Sequence, residues 1–216
     1  MAGSLQLGRK EKEKESENMD TMERETITDS LSVSALSLVE LLEGASTHAD
    51  KGKNGLRALS AVQVAGESGN MTARATDRFR AIEGKIAGEG ADLAPSLISL
   101  DDVKRIISLA KDNKVARITF TRVANLLTVS VSGSAITIQL LEENYPPNFD
   151  DLFNKGEVTP MEKVSFNPAF FADYAKVAGK GNAVTVEFKG EGKPFTIGLK
   201  GEKVEWRALL MPMRII

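Results

Sequence analysis

From about residue 25 onward the apolar positions alternate between two rhythms, and the order strand, helix, several strands comes round three times. In the first round, residues 26–33 alternate as a strand, Ser34 stands where an N-cap belongs, and Ala35, Leu38, Val39, Leu42 and Ala45 share one helical face. A polar loop (48–55) follows, then strands over 56–65 and 71–86 around the turn-forming Gly66-Glu67-Ser68-Gly69-Asn70. The second round opens with a short strand at Leu97 and Ile98, a Ser99 cap, and Asp101 and Asp102 at the positive end of a helix dipole. Its helix sets Val103, Ile106, Ile107 and Ala110 at helical spacing, and strands follow over 116–123, 126–132 and 135–141. In the third, a strand over 163–166 leads to an Asn167 cap with Pro168 in the first turn. Phe170, Phe171, Tyr174, Val177 and Ala178 form that helix's buried stripe, with strands over 183–189, 194–200 and 204–215.

The fold class that follows is α+β, three βαβββ modules forming a structural repeat. Residues 1–25, rich in alternating charge, bury too little to offset their ordering entropy and are expected as a disordered tail. Residues 26–141 make a two-module domain, 142–160 a connector broken by Pro146 and Pro147, and 161–216 a single C-terminal module. The last stretch alternates Leu209, Met211 and Met213 with their neighbours, which predicts a strand, and Pro212 suits its edge or last rung. Such a strand completes a core or also walls a peptide-binding groove lined by adaptable methionines.

Charge narrows the partners. The net charge is −2, so the molecule as a whole is not a basic nucleic-acid binder, and any DNA contact must come from local clusters. Lys104, Arg105 and Lys111 stand opposite the apolar stripe of the second helix, with Lys114 just beyond it. Lys176 and Lys180 are placed likewise on the third helix, and Lys51 and Lys53 follow the first. This distribution suits sequence-independent contact with the phosphates of double-stranded DNA.

Catalytic chemistry is not visible. Cysteine is absent, His48 is the single histidine and is expected to be solvent-exposed, and Gly179-Lys180-Gly181 lacks the spacing of a P-loop. Asp77 has no second carboxylate at a recognisable spacing and reads as structural. No enzyme, cofactor or metal is expected. No run is long enough for a membrane helix and no apolar signal core is present, so a cytoplasmic protein is expected.

Four segments resemble one family. Residues 211–215, Met-Pro-Met-Arg-Ile, are similar to the Met-Pro-Met-Arg-Leu ending of the bacterial DNA polymerase III beta subunit, the sliding clamp. Residues 166–173 resemble its Phe-Asn-x-x-Tyr-Leu-x-Asp helix start, residues 75–81 its Ala-Thr-Asp-Gly-His-Arg-Leu segment, and residues 145–149 its Phe-Pro-Asp-Tyr connector. All four occur in the family's order.

The resemblance implies a ring with helices lining its inner face and antiparallel sheets outside, a DNA polymerase processivity factor with no catalysis of its own. Polymerase and clamp loader would insert short peptides into a groove formed by Thr76, Arg78, Phe79, Arg80, Ala81, Pro146, Leu209, Met211, Pro212, Met213 and Arg214. Arg78 stands where the family has glycine, Phe79 where it has histidine and Ala81 where it has leucine. A family ring uses twelve modules, so a chain of three predicts a homotetramer, and alternating module direction predicts 222 symmetry. So short a chain suits the compact genome of a phage, which would place it in the host cytoplasm. The alternative on the same fold is an adaptor or decoy that recruits transcription or repair factors without conferring processivity.

Overall fold

Alternating side chains need two faces to bury against, and here the sheets present their inner faces to three helices. The computed structural model describes residues 29–52, 55–145, 149–154, 156–160, 163–179 and 181–213. The expected tail and Lys53, Pro146, Lys180 and Arg214 lie outside the described residues.

The first module comprises β1 (Asp29–Ser34), α1 (Ala35–Ser46), β2 (Ala61–Glu67), β3 (Asn70–Thr76) and β4 (Arg80–Gly90). Residues 71–86 are therefore two strands rather than one, because Asp77 closes a tight turn between them. Residues 56–60 contribute a short 3₁₀ turn (Arg57–Leu59) in place of strand. Helix α1 buries Leu38, Leu41, Leu42 and Ala45, with Leu41 rather than Val39 at the centre of the stripe. Ser34 makes no side-chain cap, and the carbonyl of Ala116 accepts from the Ala35 N–H instead (3.1 Å).

The second module is β5 (Leu93–Ser99), α2 (Leu100–Asp112), β6 (Arg117–Val123), β7 (Leu126–Val131) and β8 (Ser134–Gln139). Ser99 caps as expected, accepting from Asp102 N (3.1 Å). The two modules exchange strands: β1 pairs with β6 on one side and the end of β4 on the other, while β5 pairs with β2. Helices α1 and α2 pack side by side against the sheets.

After the second module comes a helix that the residue pattern did not announce, α3 (Phe149–Asn154). The third module then supplies α4 (Pro168–Ala178), β9 (Val184–Glu187), β10 (Phe195–Lys200) and β11 (Glu205–Leu210). Asn167 caps α4 by accepting from Ala169 N (3.0 Å). The strand expected over 163–166 is reduced to a single bridge, Ser165 to Met213.

Strand β11 pairs with the first half of β4 from Leu210–Arg80 to Glu205–Lys85, so the third module abuts the first. Trp206 is buried at this joint over two glycines. A Cβ on Gly44 would lie 2.5 Å from its ring and one on Gly84 would collide with it, so both positions need the missing side chain. Beyond these pairings, β8 and β9 each have a strand partner on one side only among the described residues.

His48 corrects the sequence reading. It is buried, not exposed, tilted against Tyr174 at 4.7 Å between ring centroids. The loop following α1 folds back beneath α4, where it is covered. Burial first and the nearby Arg80 charge second lower its pKa to about 3, so the ring is neutral.

Candidate functional site

The segment 76–81 is built by Asp77. Its Oδ1 accepts from the N–H groups of Phe79 and Arg80 (both 3.1 Å), and Thr76 Oγ1 donates to Arg80 O (2.7 Å). The turn holds Arg78 at φ +80°, a conformation natural to glycine. Phe79, one of the exposed large apolar residues, accepts through its carbonyl from Met211 N (2.8 Å). The turn and the end of the chain are thus stitched together, and Met211 and Met213 lie beside them, both exposed.

Strand alternation then sends neighbouring residues to opposite faces. Arg80 turns inward and is buried: its Nε donates to Asp77 (2.9 Å), its two terminal nitrogens to Asp173 (2.7 Å) and to Thr47 O (2.8 Å). The guanidinium also lies over the ring of Phe170. This side chain fastens the turn to α4, and its donors are spent inside the molecule.

Ala81 turns outward. It sits in register between Thr76 of β3 and Leu209 of β11, and one step along, Glu83 sits between Arg74 and Arg207. Glu83 is buried and pairs with both arginines, with Arg207 at 2.6 Å. Over this outer face lies α3. Phe149 and Phe153, one helical turn apart, cluster with Ala81 and Leu209. Arg74 stacks on Phe149 (5.4 Å) and Arg207 on Phe153 (4.3 Å). Lys189 Nζ donates to Phe153 O, and Tyr145 Oη to Arg74 O (3.2 Å). Burial raises the Tyr145 pKa well above its ordinary value, so its hydroxyl remains a donor.

Of the residues named for the groove, the structure brings Thr76, Ala81 and Leu209 together on the outer face, with Phe79, Met211, Pro212 and Met213 at its rim. Arg78 is on the turn and Arg80 points the other way. Sequence reasoning missed Arg74, Glu83, Arg207, Phe149 and Phe153. The available signal was the spacing of the two phenylalanines, which follows the double proline.

The basic positions gather less uniformly. Lys111, Lys114 and Lys176 line one cleft between α1, the end of α2 and α4, together with Glu40, Glu43 and Asp112. Lys51 lines a separate notch with Phe79 and Phe170. Lys104 pairs with Asp101 (2.8 Å), Arg105 with Asp102 (2.7 Å), Lys111 with Glu43 (2.6 Å) and Lys176 with Asp173 (2.7 Å). These lysines and Arg105 remain substantially exposed, so solvent screens each pair and it exchanges readily for another anion. Among the described residues no group of His, Cys, Asp or Glu is arranged to hold a metal ion. No helix there is long and apolar enough to cross a membrane.

No family sequence model and no curated protein matches the chain. In three dimensions it is similar to the DNA polymerase III beta subunit of Thermotoga maritima, with TM-score 0.73 and 15% identity, covering 87% of this chain and 66% of that one. It is equally similar to the DNA polymerase sliding clamp of Pseudomonas aeruginosa, with TM-score 0.73 and 11% identity, covering 86% and 67%. The beta clamp of Helicobacter pylori matches with TM-score 0.70 and 12% identity, covering 86% and 66%. The chain therefore spans about two thirds of the length of these clamps, and it has their fold.

Proposed function

We propose that the chain is a DNA sliding clamp: a non-catalytic processivity factor that encircles duplex DNA and tethers a DNA polymerase to it. The observation that carries this reading is the clamp fold across almost the whole described chain. Basic residues on the helical side support it, since their weak surface pairs can give way to phosphates in a sequence-independent, rapidly exchanging contact.

Ring closure would use two one-sided strands, β8 at one end of the main strand order and β9 at the end of the branch that leaves β4 through β11 and β10. A three-module chain reaches the family's twelve modules as a tetramer. With modules alternating in direction, neighbouring chains are inverted and the two kinds of edge meet in turn, which is 222 symmetry. Polymerase and clamp loader would dock by short peptides on the outer face around Ala81, Leu209 and Met211 to Met213.

The test is native mass followed by DNA retention. Four chains of 23.3 kDa give about 93 kDa. The ring should stay on nicked circular DNA and leave when that DNA is linearised. A persistent monomer, or equal retention on both DNA forms, would refute a closed, self-sufficient ring.

A further inference from the structure

We infer that the groove for partner peptides is occupied by the chain's own connector helix α3, so that a partner docks by displacing it. The inference rests on the reading of the outer face as a partner groove and adds how that groove is regulated and what enters it.

The occupancy is visible in the packing. Ala81 and Leu209 keep only 5% and 4% of their surface exposed because Phe149 and Phe153 cover them. The family resemblance places leucine at position 81; alanine leaves a smaller floor, and the two phenylalanine rings fill the space above it. The rim at Phe79, Met211 and Met213 stays open. The surface is thus divided into a filled end and a free apolar end.

The filled end also has defined chemistry. Glu83 ties two guanidinium groups into one row, and each presents a face to one aromatic ring. That arrangement fits two aromatic side chains one helical turn apart. Lys189 provides a further hook through the Phe153 carbonyl. Helix α3 has six residues, far below the length at which a helix persists alone. Its position therefore depends on these contacts, and whatever reproduces them competes with it. The occupant that fits is a partner peptide with aromatic residues at i and i+4.

The experiment uses the full chain and a fluorescein-labelled peptide with the sequence of residues 145–155, read by fluorescence anisotropy. Phe149→Ala/Phe153→Ala empties the filled end, and Lys189→Met loosens α3 without altering the floor. The double variant should bind the peptide about tenfold more tightly than the wild type, since apparent affinity scales with the fraction of open groove. Lys189→Met should shift affinity in the same direction by less, and adding Leu209→Asp to the double variant should abolish binding. Equal affinities for wild type and both variants, all lost with Leu209→Asp, would overturn the displacement while leaving the groove. Binding indifferent to Leu209→Asp, or absent throughout, would reject both displacement and groove. The ring itself is judged by DNA retention, which involves none of these residues.

Discussion

Arg80 reaches Asp173 across 2.7 Å, from a strand of the first module to the helix of the third. With Asp77 and the Thr47 carbonyl it forms a buried ionic fastener between modules. Burial works against the charge of Asp173, but hydrogen bonds from Lys176 and Arg80 outweigh it and hold the carboxyl below its ordinary pKa.

Arg80→Ala should therefore destabilise the fold by about 3 kcal/mol or more, because it leaves charge at a desolvated joint without its partner. Urea unfolding followed by circular dichroism measures the loss. A change under about 1 kcal/mol would mean that the shape of the joint, rather than its charge, holds the modules.

Arg78 pays a conformational penalty at φ +80°. Arg78→Gly should raise stability by about 1 kcal/mol, the order of the left-handed penalty for an L-residue. Differential scanning calorimetry should show a higher Tm, and a lower one would indicate that the arginine makes a compensating contact.

His48 binds no proton in the folded state until about pH 3, whereas unfolded it titrates near 6.5. Between those values the unfolded chain holds the extra proton, so the stabilisation is complete above pH 6.5 and is lost as pH falls. From pH 6.5 to 5 this contributes a loss of about 2 kcal/mol, at about 1.4 kcal/mol per unit. His48→Gln should flatten that part of the stability profile.

If the chain acts as the proposed clamp with these residues facing DNA, replacing Lys104, Arg105 and Lys111 with Glu should cut processive synthesis by about tenfold or more while native mass is kept, because such a contact would be electrostatic. Unchanged processivity would remove these residues from the DNA-facing surface.

The parts of this molecule legible in its sequence are those set by local rules. Ser99 and Asn167 announced their caps, and the apolar stripe of α2 announced its buried face. His48 was misread because its covering comes from α4, more than a hundred residues away, which no local pattern encodes. The same holds for Arg80, whose inward turn is decided by the pairing of β4 with β11, and for Glu83, which looks like any surface acid until two strands bring arginines to its sides. Helix α3 escaped notice because it is too short for periodicity to register and follows two prolines.

The pairing of β4 with β11 has a mechanical meaning. The peptide chain reaches the third module only after passing through the second, yet in space the third module is seated on the first. Tension applied between β8 and β9 would run through the lateral hydrogen bonds of that six-pair ladder, loaded along their own axes, with the covalent link through the connector running in parallel. A single cut in the connector would therefore leave two fragments that still migrate as one particle.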